Sequence, residues 1–544
     1  MNRLYYGDNL DVLRRHIADA SVDLIYVDPP FNSNASYNVL FAERDGAQAA
    51  SQIKAFEDTW KWDESAARAC AEVIEAGGKV SEAMQAFRTF LGDSDMMAYL
   101  AMMAPRLVEM RRVLKPTGSI YLHCDPTASH YLKMLLDAVF EPAQFLNEII
   151  WRRTGTHSSA KRWGPVHDVL LNYAREAGRH TWNRPYVPLA EEHRRRHYNL
   201  ADSQGRVYAH GELTAPGVRH GRSGEIWRGF DVTAIGRHWL TTVDKLDELA
   251  SADRIYFPPG GGWPRLVRYE DESQGRALGD VWEDIPPLNM RAAERLGYPT
   301  QKPEALLDRI IAASSDEGGT ILDPFCGCGT AIVSAQRLRR KWIGIDITSL
   351  AISLIRNRLA DALGDQSKYE VVGEPVSLPD AAKLAQDDPY QFQWWALGLV
   401  GARPAEGKKG ADKGIDGRIY FYEGLGNKPK QVIFSVKAGH LTASQVRDLR
   451  GVIEREHAAI GVLLCMEEPT GPMRKEAANA GFYDAVGGRR YARLQILTVE
   501  DLLTGKTVQR PPSSVTYKRA PKAPSMLREH QPSIWGEDER DRSS

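Results

Sequence analysis

Apolar and polar positions change period along the chain, and the change marks out its elements. Ser21-Val22-Asp23-Leu24-Ile25-Tyr26-Val27 is a short apolar run that predicts a buried strand, ended abruptly by Asp28-Pro29-Pro30-Phe31. A cap at Asp93 or Ser94 predicts a helix running to Leu114. Lys115-Pro116-Thr117-Gly118 reads as a turn, followed by a strand over Ser119–His123 and an amphipathic helix near Ser129–Val139. From Gly155 to about Gly297 the periodicity fades while Gly, Pro and Arg accumulate, as in an irregular insertion. Alternation then resumes with a helix over Pro303–Ser314, a strand over Gly319–Leu322, a Gly-rich turn and a helix over Ala331–Leu338. A strand at Trp342–Ile345 and a helix at Ser349–Leu363 follow. Such alternation predicts an α/β fold with parallel strands and helices on both faces.

Residues 370–388 are polar, contain Pro375 and Pro379, and read as a linker. A smaller α/β module is expected over 389–505, and the Pro-, Ser- and charge-rich segment 506–544 reads as a disordered tail. At 544 residues the chain is too long for one core, and 43% hydrophobic with 26% charged residues is ordinary for a globular protein. No run approaches the ~20 apolar residues needed to span a bilayer. The first residues lack a signal-peptide core, and five scattered cysteines make no disulfide framework, so the expected compartment is cytoplasmic, away from membranes.

The net charge of −1 hides an asymmetry. Residues 1–150 carry 14 Lys/Arg against 21 Asp/Glu, whereas 151–240 carry 15 against 8. The cationic block includes Arg152, Arg153 and Arg194–Arg196, interleaved with Trp163, Trp182, Tyr186, Tyr198, Trp227 and Trp239. That mixture suits a polyanion bound by phosphate contacts and stacking, although a solvated surface with core aromatics has the same composition.

Two strand ends carry candidate chemistry. Asp323-Pro324-Phe325-Cys326-Gly327-Cys328-Gly329-Thr330 lies between a strand and a helix, with glycines where backbone would pass close beneath a ligand. The next strand ends at Asp346, 23 residues after Asp323, near the spacing of a carboxylate that binds ribose hydroxyls. The glycine spacing is too short for a dinucleotide fingerprint, and Asp323 would repel a phosphate. A cationic, phosphate-free nucleoside such as S-adenosylmethionine suits the acids better. Cys326 and Cys328 have no His or Cys partners nearby for a metal and read as small loop residues. In Asp28-Pro29-Pro30-Phe31, the prolines remove two donors and leave carbonyls as acceptors. One carboxylate, one carbonyl and one ring could hold the exocyclic amine of a flat base and localise its lone pair toward an electrophile. A Pro-terminated strand with a core Phe is the bland alternative.

Taken in order, these motifs resemble the amino-methylating DNA methyltransferases of the beta arrangement, in which the catalytic loop precedes, and the cofactor loop follows, the target-recognition region. Gly7-Asp8-Asn9-Leu10, Gly118-Ser119-Ile120, Asn147-Glu148-Ile149-Ile150-Trp151 and Tyr298-Pro299-Thr300-Gln301-Lys302-Pro303 extend the resemblance over about residues 1–365. It implies a Rossmann-like, S-adenosylmethionine-dependent methyltransferase made of residues 1–154 and 298–369, with target recognition in 155–297. It also implies double-stranded DNA as partner and leaves a homodimer open. Asp28, Pro29, Pro30 and Phe31 become the catalytic loop. Asp8 would lie near the cofactor adenine and Asp346 on its ribose. Asp323, Phe325, Gly327, Gly329 and Thr330 would line the pocket, with Lys302 helping to close it. The leading Asp at position 28 leans toward adenine N6, with cytosine N4 as the alternative.

In the last module, Gly414-Ile415-Asp416-Gly417, a strand, then Ser435-Val436-Lys437 resembles Mrr-type restriction endonuclease domains of the PD-(D/E)xK fold. Asp416, Ser435 and Lys437 are its candidate nuclease residues, with Asp416 the candidate magnesium ligand. Two departures leave a magnesium ion with fewer carboxylates, unless Asp412 or Glu423 substitutes: Ser435 stands where an acid or amide is usual, and Gln391 and Gln393 stand where related domains often place Glu. The expected function is site-specific DNA methylation in a restriction-modification setting. Three readings stay open beside it: a single-chain restriction enzyme that cuts DNA with magnesium, a non-catalytic DNA-binding factor, and a methyltransferase that uses the same type of loop on RNA or protein glutamine.

Overall fold

The computed structural model describes residues 1–30, 36–39, 53–57, 62–155, 161, 163–187, 189, 191–273, 275–288, 292, 294–296, 298, 300–363, 368–404, 414–421, 430–486 and 488–511. Phe31 and most of the tail lie outside them.

Two elements open the chain: β1 (Asn2–Tyr6) and α1 (Asn9–His16), the latter capped by the Asp8 carboxylate on the Leu10 and Asp11 amides. They are followed by β2 (Val22–Val27), α2 (Asp95–Val113), β3 (Leu114–Cys124), α3 (Pro126–Phe140), β4 (Phe145–Arg152), β5 (His167–Ala174) and β6 (Val281–Trp282). The second run is α4 (Glu304–Ser314), β7 (Thr320–Asp323), α5 (Thr330–Arg337), β8 (Lys341–Asp346), α6 (Ser349–Leu363) and β9 (Tyr369–Val372). Among the described residues the strands form one nine-stranded sheet, ordered β6-β4-β5-β3-β2-β7-β8-β1-β9. The block from β3 through β2, β7, β8 and β1 to β9 is parallel, and β5 runs antiparallel to β3 and to β4. Ile25 and Val27 of β2 enter the core on one face, and Leu24 and Tyr26 enter the other. Burial on both faces is why this strand reads as a continuous apolar run. The expected turn at Lys115–Gly118 is instead part of β3, where a register shift against β2 absorbs it.

Two expected boundaries move. Residues 184–279 form a compact unit by themselves, inside the 155–297 expected for the insertion. His167–Ala174 is a buried strand of the main sheet, which its unbroken apolar run explains. The smaller unit has its own core, including Trp227 and Trp239, and an antiparallel sheet of Leu200–Ala201, Val207–Gly211, Ile255–Tyr256 and Arg265–Tyr269. Those two tryptophans are therefore packing residues rather than stacking surfaces.

The expected linker 370–388 is not a spacer. It completes β9 and then forms α7 (Leu378–Asp387), with Pro379 in the first turn, where its missing N–H costs nothing. Leu378, Ala381, Leu384 and Ala385 of α7 pack into the C-terminal core. That domain continues with α8 (Pro389–Leu399) and the sheet β10-β11-β12-β13-β14, made of Arg403–Pro404, Gly417–Phe421, Lys430–Lys437, Ile460–Cys465 and Leu494–Thr498. Helix α9 (Ala443–Arg455) covers one face.

Candidate active site

Four neighbouring strands, β2, β7, β8 and β1, point their carboxyl ends the same way. They deliver Asp28, Asp323, Asp346 and Asp8 to one edge of the sheet. In open parallel sheets that edge is where ligands bind. Pro29 is buried and Pro30 half-buried behind Asp28. Both Asp28 oxygens accept from the Lys302 ammonium, at 2.8 and 2.6 Å, and Lys302 also donates to the Thr300 carbonyl. The pair is well enclosed, with the Lys302 and Asp28 side chains 10% and 15% exposed. The structure thus brings Lys302 to the Asp-Pro-Pro loop, and its charge also acts on Asp323 and Cys328 of the Gly-rich loop.

Asp323 is buried and accepts from the Phe325 amide at 3.1 Å. Burial pushes its carboxyl well above the usual range, and the Asp28 and Asp346 charges act in the same direction. Burial raises Asp346 too, against hydrogen bonds from the Thr348 amide and hydroxyl and from the Gly327 amide at 2.9 Å. Asp346 thereby ties the Gly-rich loop to the start of α6. Gly329 takes φ +77 where α5 begins, and a Cβ there would fall 2.5 Å from Ile355 Cγ1. Thr330 is buried, Phe325 half-buried, and Arg358 donates to the Cys328 carbonyl and to Glu304. Cys326 and Cys328 are buried thiols, pushed up by burial, and no metal-holding group of His, Cys, Asp and Glu occurs among the described residues.

Several contributors were not singled out from the sequence. Arg106 of α2 pairs with Asp8 at 2.6 Å and donates to Asn9, whose amide reaches the Pro324 carbonyl at 2.8 Å. The one available signal was a lone cation in the apolar stretch Ala101–Val108. Beneath Asp28, the Tyr26 hydroxyl meets His123 Nδ1 at 2.8 Å and His123 Nε2 meets Asp168 at 3.2 Å. Arg153 pairs with Asp168 at 3.1 Å.

Much of the cationic block is internally paired. Arg194 pairs with Glu191 and Glu270, Arg195 with Glu191, and Arg152 with Glu283. The compact unit 184–279 holds a cavity of about 840 Å³ lined by His197, Tyr198, Arg254, Arg268, Tyr269 and Arg276, among others. Trp163 is 98% exposed, so it is available for stacking.

In the C-terminal domain the candidate nuclease residues do converge. Asp416 accepts from Gln393 at 3.1 Å, from the Val436 amide at 2.6 Å and from the Ser435 hydroxyl at 3.2 Å, with Lys437 4.0 Å away. Both carboxylate oxygens are occupied by protein donors, and the flanking groups are an amide and a hydroxyl. Among the described residues Asp416 is the one carboxylate of this set, a poor match for a magnesium ion, and Asp412 and Glu423 lie outside the described residues.

Comparison with known proteins agrees with both halves. A family model for N6/N4 methyltransferases, described as DNA methylase, matches residues 22–357. A second model, NACHT-associated inactive restriction endonuclease 1, matches residues 390–504. The type II methyltransferase M.EcaI of Enterobacter cloacae is 34% identical over 273 residues, 50% of this chain and 60% of that protein. The DNA adenine methyltransferase YhdJ of Escherichia coli K12 is 48% identical over 115 residues, 20% of this chain and 38% of that protein. The chain thus covers less than two thirds of either curated relative. The Thermus thermophilus protein TTHA0409, crystallised with S-adenosyl-L-methionine, superposes with a TM-score of 0.33 at 16% identity, over 69% of this chain and 100% of that one. With the match running from β2 to α6, through the Asp28 loop, the inserted unit and the Asp323 loop, this chain belongs to the N6/N4 DNA methylase family.

Proposed function

We propose that this protein transfers a methyl group from S-adenosylmethionine to the exocyclic amine of a base flipped out of duplex DNA, adenine N6 being the amine. The observation that supports this best is the shared edge. Asp28, held by Lys302, ends the strand next to the one ending in Asp323, so an amine acceptor and a cofactor loop lie side by side. The donor set suits a sulfonium nucleoside. Asp323 and Asp346, which a nearby positive charge would ionise, would supply negative charge, while Arg106 and Arg358 are engaged by Asp8 and Glu304. Asp346, Asp323 and the Gly327–Thr330 backbone would hold the cofactor, which supplies a methyl group on a positively charged sulfur.

The rest is done by this chain. An amine inside a duplex cannot reach that edge, so the base must leave the stack, at a cost of a few kcal/mol. Asp28 and the Pro29 carbonyl accept the two amine hydrogens, drawing the lone pair out of the ring. Lys302 keeps the Asp28 oxygens oriented. As the nitrogen–methyl bond forms and the methyl–sulfur bond breaks, its electron pair staying on sulfur as a neutral thioether, the nitrogen sheds one proton toward Asp28 and water. Phe31, outside the described residues, is the proposed stacking face. No thiol takes part, since all five cysteines are buried and free. Adenine is favoured by Asp at position 28 and by the similarity to a relative named as an adenine enzyme.

The C-terminal domain has no cleavage step in this reading, given the occupied oxygens of Asp416 and the inactive-endonuclease family it resembles. Labelled methyl transfer to duplex DNA, followed by nucleoside mass spectrometry, tests the proposal. N6-methyladenine is expected, with no magnesium-dependent cutting. Folded, cofactor-binding protein that methylates no DNA would overturn the reaction, and N4-methylcytosine would overturn the base.

A further inference from the structure

Helix α8 belongs to the C-terminal core through Phe392, Trp395, Ala396 and Leu397, yet its first turn reaches the cofactor lobe. Gln391 Oε1 accepts the Ser349 amide at 3.2 Å, at the start of α6. Ser349 is fully buried, so no water stands ready to replace that acceptor. The first amides of a helix have no partner within it, and here one is capped by a different domain, 42 residues away in sequence. The neighbouring residue, Thr348, holds Asp346 Oδ1 through its amide and hydroxyl, while Asp346 Oδ2 holds Gly327. One hydrogen-bonded path therefore runs from the C-terminal domain to the Gly-rich loop.

The same helix is anchored at three further points. The Asp388 carboxylate caps it on the Tyr390 and Gln391 amides. Gln393 donates to Asp416 inside the nuclease-like site. Gly398 lies so close to α6 that a Cβ would collide with Ser353 Oγ. Gln391 and Gln393 thus bind the cofactor lobe and Asp416 of the nuclease-like site from one turn of helix. On this geometry we propose that Gln391 is a positioning residue for Asp346, and that the nuclease-like domain serves as a rigid brace for cofactor binding. The inference rests on the methyl-transfer reading for its functional consequence.

The test uses full-length protein and the variants Gln391→Ala and Gln391→Glu. In cofactor-free protein, hydrogen exchange at the amides of residues 348–351 should quicken in Gln391→Ala and return to wild-type values in Gln391→Glu, which keeps the acceptor. Calorimetric titration with S-adenosylmethionine should show Kd raised about tenfold in Gln391→Ala, the size of one buried hydrogen bond. Turnover at saturating cofactor should stay within about twofold, because the Asp28 loop is untouched. Unchanged exchange or unchanged Kd in Gln391→Ala would overturn the brace, as would kcat falling together with Kd. Wild-type protein that binds no S-adenosylmethionine would instead sink the methyl-transfer reading, and the exchange measurement would still decide whether Gln391 braces α6.

Discussion

Replacing Asp28 by Asn and Lys302 by Met, singly and together, separates charge pairing from chemistry. The ammonium lies 2.8 and 2.6 Å from the two carboxylate oxygens, with both side chains largely enclosed. At such contact two unit charges attract by about 6 kcal/mol for an effective dielectric of ~20, and desolvation of both ions offsets much of it. Removing one partner strands the other charge, which costs about 3–5 kcal/mol of stability. Removing both takes that penalty away, so urea unfolding should find Asp28→Asn/Lys302→Met more stable than either single variant. The rate should behave differently. Loss of the ionised acceptor costs about 3–4 kcal/mol, on the order of 100- to 1000-fold in single-turnover methyl transfer. The double variant should stay as slow as Asp28→Asn even as it regains stability. Stability losses that add within ~0.5 kcal/mol would show the pair is uncoupled, and a double variant with restored rate would remove Asp28 from the chemistry.

Gly329→Ala should lose about 2 kcal/mol or more in urea unfolding, because φ +77 is strained for Ala and its Cβ would meet Ile355. Binding of a sulfonium cofactor should release protons. Burial holds Asp323 well above the usual carboxylate range, so a nearby positive charge lowers it and drives ionisation. The release should appear in titration calorimetry above the ordinary carboxylate range, as a dependence of the apparent enthalpy on buffer, and vanish in Asp323→Asn. Charge reversal at Arg194–Arg196 should flatten the slope of log affinity against log salt for duplex DNA by less than about 0.9 for each of three phosphates. Arg194 and Arg195 already pair with Glu191 or Glu270, and a fall of three full phosphates would show those pairs open on binding.

The edge carrying the site was legible because strands buried on both faces are unbroken apolar runs, and each ends at an acid. Asp28, Asp323 and Asp346 could be read that way. Their partners could not, since Lys302 meets Asp28 across 274 residues and Asn9 meets Pro324 across 315. Those contacts follow from a strand order that places β2 between β3 and β7 and β1 beside β8, and chain order does not contain it. The misread linker has a local cause. Pro375 and Pro379 suggested extended chain, but a proline in the first turn is compatible with a helix, and Leu378, Ala381, Leu384 and Ala385 form a modest apolar stripe. The basic block was overread because net charge counts cations that acids elsewhere in the sequence already hold.

A polar chain within the main sheet has a consequence for the loop above it. Burial opposes a charge on Asp168, but His123 and Arg153 hold its carboxyl below the usual range. It accepts from His123 Nε2 at 3.2 Å, while Arg153 lies 3.1 Å from its other oxygen as an ion pair. The other ring nitrogen, Nδ1, meets the Tyr26 hydroxyl at 2.8 Å, so one hydrogen-bonded chain joins the three side chains. Tyr26 is on β2, His123 on β3 and Asp168 on β5, so the chain fastens three strands at the level of the catalytic edge. Each member is buried, and deleting any one leaves a polar partner without water, at a cost of about 1–3 kcal/mol. Asp28 follows Tyr26 by two residues, just past the end of β2 at Val27. The role proposed for Asp28 needs a strand that cannot slip, and the apolar contacts of β2 alone have no such directional preference.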